Sequence, residues 1–502
     1  MLMAPFTAWL RAALAATLFW LAAAPVPSAE VRDDAPEREQ ERASAFRLLD
    51  SGETDAAADA FSALLKADPG DAAAMDGRVR SLLRMQRWQA ALEEARRYAV
   101  TRPDAPRVLA VLGQALFRAG RLAEVEQAIG ELAAREDAPA RALVVLGRLR
   151  AAEGRDEEAI ELMARAVAAD PGDRDVLYWA SGSTTTRGEA VERLERYLEL
   201  AEGDDPDRVE AARTGVDVLR ALGERAVWIS EARPERAELP LSRLWDPGTG
   251  ATQGFVVRVA LGKKGKPVPL LLDTGSPGLF VIQRVSRKRG LEPVAVQSQF
   301  GGGGDQRHSS TRGLFATAAI GELRFRDALA SSNKQEMDPT GRFHGVIGLA
   351  VFNGYRVTLD LEDDRLLLEP PGEIQGGDPY WTVEGQWLVE GRIGGERGLL
   401  LFDTGATNSI VDQATVERLP GARLSQPVTV HGFGGRIGGA RRVQGVEIAF
   451  QGLATGSGPM SAIDLSARSR VGGVELSGFI GLDLLDRKRI VVDTVNRRIA
   501  VH

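Results

Sequence analysis

Three kinds of hydrophobic patterning follow one another along the chain. An unbroken apolar run at residues 12–24 sits behind a single charge, Arg11, and ends in Pro25-Val26-Pro27-Ser28-Ala29. Its 13 residues make about 20 Å of helix against a hydrocarbon core of roughly 30 Å. Residues 1–29 therefore read as an export signal cleaved near Ala29, not as a permanent membrane span. The expected destination is periplasmic or extracellular. From about residue 38 to 222, apolar positions recur with a helical period among Ala, Arg, Glu and Leu. Residues 223–250 hold Pro234, Pro240, Pro247 and Gly248 and read as a linker. Beyond it, residues 254–261 and 267–272 are short Val/Leu/Ile runs bounded by glycine or proline, which predict strands.

The helical stretch, 30–222, is also periodic at a longer scale. Pro69, Pro103, Pro139, Pro171 and Pro206 recur at about 34 residues. Gly52, Gly120 and Gly154 keep the same spacing, with Gln86 in the remaining slot. Within one unit, residues 141–147 predict a first helix and 157–169 a second, and Asp170-Pro171-Gly172-Asp173 ends the pair and caps the next. This period and unit resemble the tetratricopeptide repeat. About five repeats are visible, the fifth degraded at residues 181–187. The resemblance implies a stacked solenoid whose concave face takes a peptide or a partner protein; a spacer or packing partner for the rest of the chain is the other reading.

Composition narrows the chemistry. With 502 residues, 44% hydrophobic and 26% charged, the chain has room for about three globular units. A net charge of -7 from 63 basic and 70 acidic side chains is too mixed to attract nucleic acid. The absence of cysteine excludes disulfides, thiolate metal sites and a cysteine nucleophile. His308, His344, His431 and His502 include no pair at metal-ligand spacing, and neither a serine-nucleophile elbow nor a phosphate loop occurs. No metal or organic cofactor is expected.

The strand-rich part, 251–502, repeats itself with a period near 130 residues. Leu270-Leu271-Leu272-Asp273-Thr274-Gly275-Ser276 recurs as Leu400-Leu401-Phe402-Asp403-Thr404-Gly405-Ala406. A glycine-rich stretch follows each: Gly301, Gly302 and Gly303 after the first, Gly432, Gly434 and Gly435 after the second. Gly345-Val346-Ile347-Gly348 and Gly478-Phe479-Ile480-Gly481 come next, and each half closes with a strand pair, 356–360 with 365–368 and 489–493 with 498–501.

A carboxylate at the end of an apolar strand sits where burial makes ionisation costly. If a pseudo-twofold axis brings Asp273 and Asp403 together, the two share one proton. Such a pair polarises a water on one side and protonates a carbonyl oxygen on the other. The glycine after each Thr is expected to supply a backbone angle that other residues resist. Ser276 is expected to donate to Asp273 while Ala406 offers Asp403 nothing, which would leave Asp273 ionised and the proton on Asp403.

On these residues, 251–375 and 376–502 resemble the two halves of an aspartic protease, each of about retropepsin-subunit size, fused in one chain. The resemblance implies catalytic Asp273 and Asp403, with Thr274 and Thr404 bonding across the dyad. It implies support from Gly275, Ser276, Gly405 and Ala406, and flaps at the two glycine-rich hairpins, which lack the tyrosine that pepsin-type flaps usually carry. The expected fold class is multidomain, an all-α tetratricopeptide-repeat solenoid followed by an all-β bilobal acid-protease-like domain. The expected activity is hydrolysis of a polypeptide substrate by a monomer. A non-catalytic binding scaffold, or halves that pair between chains, are the alternatives.

Overall fold

A computed structural model describes residues 35–262, 266–300, 307–334, 337–338, 340–432, 435–456 and 458–502. The export signal expected at 1–29 lies outside them. Among the described residues, eleven helices run from Ala35–Asp50 to Pro206–Leu222. The unit expected around residues 141–169 is the helix pair Ala140–Ala152 and Asp156–Ala169. Asp173 then caps the next helix, its carboxylate accepting from the amides of Asp175 and Val176. Gly52, Gly120 and Gly154 turn the chain with φ of 86°, 71° and 75°, and Gln86 takes the same left-handed position at 60°. The Gln86 side chain is held there by Arg118, whose Nη2 donates to Oε1 at 2.6 Å.

Small residues let the helices approach. A Cβ on Gly77 would lie 2.2 Å from the Phe61 ring, and that ring is fully buried in the first repeat. Gly77→Ala is therefore expected to destabilise the protein by about 1–3 kcal/mol through overpacking, read as a lower midpoint in urea; an unchanged midpoint would show that this crossing is loose.

The array curls until its ends touch: a Cβ on Gly203 would meet the carbonyl oxygen of Ser51 at 2.2 Å. Arginines from three other helices converge on Asp175, Arg208 at 2.7 Å, Arg141 at 3.0 Å and Arg84 at 3.7 Å. Burial alone would raise the Asp175 carboxyl, but these cations outweigh it and hold the carboxyl well below the usual range. The array thus places its own ion pairs between repeats that are far apart in sequence.

The strand-rich part forms two large sheets with a few short helices between strands. In each half the strand before the Asp lies parallel to the strand of the later Gly-x-x-Gly element, Val268–Leu272 with Gly345–Ile347 and Glu396–Phe402 with Gly478–Ile480. That later strand also pairs antiparallel with the strand following the Asp loop. The two closing strand pairs meet edge to edge, Arg356–Asp360 against Arg489–Asp493 in the register Val357↔Val492, and join the halves by backbone hydrogen bonds.

Residues 223–250 differ from the linker expected of them. Ile229–Ala232 pairs with Leu323–Asn333, Ala237–Pro240 with Arg365–Glu369, and Ser242–Trp245 with Thr252–Leu261. Proline punctuates these strands at their edges, where a missing N–H costs no ladder bond. The array also packs firmly against the second half. Glu475 N donates to Arg118 O at 2.8 Å, and the Arg118–Glu475 ion pair closes at 2.6 Å. Arg148 lies 3.6 Å over the Trp179 ring and donates to Gly472 O at 2.9 Å; burial pushes its pKa down to about 9. Helices of the array share one apolar core with Leu388, Leu401, Ile410 and Phe479.

Candidate active site

Each Asp-Thr-Gly loop hangs from a buried strand, Val268–Leu272 or Glu396–Phe402. Asp273 N donates to Ile347 O and Asp403 N to Ile480 O, both at 3.0 Å. The Gly-x-x-Gly elements therefore hold the two loops in the same way. Across the junction, Thr404 N donates to Thr274 Oγ1 at 2.9 Å and Thr274 N to Thr404 Oγ1 at 3.2 Å. The two hydroxyls donate onward to Phe402 O and Leu272 O, and both threonines are buried. This reciprocal set of bonds is satisfied internally and leaves the loops one relative position.

The carboxyls of Asp273 and Asp403 face one another within hydrogen-bonding reach, in a single chain. Gly275 N donates to Asp273 Oδ1 at 2.8 Å and Gly405 N to Asp403 Oδ1 at 2.9 Å. The expectation about the glycines needs correction. Neither Gly275 nor Gly405 has a positive φ; their role is space. A Cβ on Gly275 would lie 2.7 Å from Asp403 Cγ, and one on Gly405 2.6 Å from Asp273 Cγ. Each half omits a side chain where the other half places its carboxyl.

The support expected from Ser276 is missing as well. Ser276 Oγ donates to Gly278 O at 3.3 Å and not to Asp273, so the expected support for an ionised Asp273 is absent. Burial raises both carboxyls above the usual range. Beside burial, the Asp403 charge pushes Asp273 up, and the Arg468 cation draws both carboxyls back down. The pair titrates together, and its apparent pKa values belong to the dyad and not to either residue alone.

Arg468 belongs to no motif, and spacing did not reveal it. The short helix Ser466–Gly472 folds back toward the dyad and seats its guanidinium against Phe479, with Nε donating to Gln386 Oε1 at 3.2 Å. Gln386 Nε2 donates to Gly275 O at 2.9 Å, so this pair ties the second half to the loop of the first. The cation lowers both carboxyls. Arg468→Met is therefore expected to move both limbs of the rate–pH profile to higher pH, since each macroscopic pKa rises when the positive charge goes. Limbs that stay in place while the rate falls would assign Arg468 a purely structural role.

The described strands on either side of each glycine-rich stretch pair with one another. Glu292–Phe300 pairs with Arg307–Ile320, and Val430–Gly432 with Gly435–Ile437. Gly301, Gly302, Gly303 and Gly434 fall outside the described residues. His431 and Gly432 line the same cleft as the dyad, a cavity of about 1120 Å³. Asp207, Glu210 and Ala211 of the helix Pro206–Leu222 also line it, so the array supplies part of the wall. Among the described residues, no cluster of His, Asp and Glu has the makings of a metal site, and no helix is long and apolar enough to cross a membrane.

A model of the aspartyl protease family matches residues 389–484, a stretch that contains Asp403 and leaves Asp273 outside it. A tetratricopeptide repeat model matches residues 44–106, 77–139 and 111–174. Among solved structures, the aspartic proteinase from Irpex lacteus is similar at 14% identity, over 53% of this chain and 96% of its own, with a TM-score of 0.33. A thermophilic tetratricopeptide-repeat protein of Thermus thermophilus is similar at 21% identity, over 36% of this chain and 98% of its own, with a TM-score of 0.30. Basic 7S globulin from soybean is similar at 12% identity, over 54% and 95%, with a TM-score of 0.30. No curated protein matches the chain. The chain thus joins N-terminal tetratricopeptide repeats to a C-terminal aspartyl protease domain.

Proposed function

We propose that the protein is an exported endopeptidase in which Asp273 and Asp403 hydrolyse a peptide bond through an activated water. The observation that carries this reading is the near-symmetric dyad, two buried carboxyls within hydrogen-bonding reach of each other lining an open cleft. The ionised member of the dyad takes a proton from water as the water oxygen adds to the scissile carbonyl carbon. The protonated member gives its proton to the carbonyl oxygen, and the resulting diol collapses as the leaving nitrogen is protonated. Hydrogen bonds from Gly275 N and Gly405 N fix both carboxyls before substrate arrives, which removes reorganisation from the chemical step. The hairpins act as flaps over an extended substrate, and the array forms one wall of the cleft and a surface for a partner protein.

The test is exposure of a diverse peptide library to protein beginning near Glu30, across about pH 3 to 8. Cleavage within peptides, with a bell-shaped pH dependence, is the expected result. A folded protein that cuts nothing over this range ends the peptidase reading. Secretion of a tagged full-length chain, with an N-terminus near Glu30 on the mature product, tests export; retention in the cytoplasm at full length would refute it.

A further inference from the structure

A second cation stands on the cleft wall with no part in the reaction described above. Arg312 lies on the strand Arg307–Ile320, in register with Ser331. Ser331 is in register with Phe280, Phe280 with Val346, and Val346 with Leu271, two residues before Asp273. In-register neighbours on adjacent strands share a face, and all five of these residues line the cleft. Four interstrand steps of about 4.8 Å make this row roughly 19 Å long between backbones. It is apolar at the dyad end and terminates in a guanidinium.

That guanidinium is incompletely satisfied. Arg312 Nη1 donates to Ser331 Oγ at 2.8 Å, but Nε is buried without a partner. Burial by itself lowers its pKa, and no carboxylate among the described residues opposes this. Two other arginines, at the junction and at the dyad, differ. Arg118 meets Glu475, and Arg468 sits beside both aspartates. A largely desolvated cation that no described carboxylate meets is costly to the free protein, and an arriving anion recovers part of that cost.

We propose that Arg312 is a specificity-determining residue that binds a carboxylate of the substrate, at the far end of an apolar row leading from the dyad. An extended chain advances about 3.3 Å per residue. Allowing for the reach of the arginine, the acidic group lies about three to five residues from the scissile bond. The inference rests on the peptidase reading and names its substrate class, polypeptides with an acidic group at that distance. A Glu or Asp side chain and a C-terminal carboxylate offer the same chemistry.

The experiment scans Glu, Gln and Lys over five positions on each side of a cleavable bond, with every peptide made as free acid and as C-terminal amide. Wild type, Arg312→Gln and Arg312→Lys are compared by kcat/KM. Fluorescence anisotropy of the same labelled peptides reads binding to the Asp403→Asn protein. The expected result is a Glu-over-Gln preference of about tenfold or more at one position, falling to about one in Arg312→Gln and kept in part by Arg312→Lys. Preference for the free-acid terminus in place of a side chain supports the subsite and assigns its anion to the end of the substrate. Equal handling of Glu, Gln and both termini in the two assays overturns the subsite, as does a preference that survives Arg312→Gln. Acid-dependent binding without cleavage removes the peptidase reading and leaves the subsite standing.

Discussion

Asp403→Asn is expected to abolish peptide hydrolysis and, at neutral pH, to make the folded protein more resistant to heat. The loss of activity follows from the shared proton. An amide can neither take a proton from water nor share one with Asp273, so kcat falls by roughly a thousandfold or more while KM changes little. The gain in stability follows from linkage. Both carboxyls are raised in the folded state, whereas an unfolded Asp titrates near pH 3.9. Below that value the pair is protonated in both states. As pH rises from there toward the raised folded values, the unfolded chain has given up protons that the folded pair retains, and stability falls. Asn does not titrate, so the variant escapes this loss. Thermal melts at about pH 4 and pH 7 would show a smaller pH dependence in the variant. Retained turnover would exclude the dyad as the catalytic pair, and a lower neutral melting point would point to local misfolding.

Gly405→Ala is expected to disable the site as thoroughly as loss of a carboxyl, although it adds one methyl group and changes no charge. The new Cβ would lie 2.6 Å from Asp273 Cγ and 2.8 and 2.9 Å from its two oxygens. Asp273 cannot retreat along its backbone, because its amide is held by Ile347 and the neighbouring Thr274 is bonded across to the other loop. The carboxyl must rotate out of the pair or the halves must part. Misplacement of about 1 Å costs on the order of a hundredfold in rate. Gly458→Ala, where a methyl meets open space, is the matched control. Equal turnover in Gly405→Ala and wild type would mean that the carboxyls do not work at this separation.

Several features were legible because they are local and repeated. The 34-residue period places Asp173 as a cap and glycine or its substitute at each left-handed turn, and backbone geometry at such positions depends on few neighbours. The Asp-Thr-Gly pair was legible because a carboxylate ending an apolar strand is chemically conspicuous, and finding it twice implies symmetry. Other features had no local signature. The prolines of residues 223–250 read as a linker because edge strands tolerate them, and nothing in that segment announces the sheet edges it covers. Ser276 donates to Gly278 O, a partner that the loop's conformation selects and sequence spacing does not announce.

By itself the sequence determined that helical repeats come first, that a duplicated strand-rich unit follows, and that two aspartates occupy equivalent places in it. These follow from periodicity and residue chemistry, which act over a few positions at a time. Only the tertiary structure decided that Gly275 and Gly405 make room for the opposite carboxyl, and that Arg468 stands beside the dyad while Arg312 ends the apolar row. The same holds for the array forming part of the cleft wall. Those relations join residues more than 60 positions apart, or strands whose register no single segment sets. Electrostatic and steric effects act through space, so they exist only once the chain has brought such residues within a few ångströms of one another.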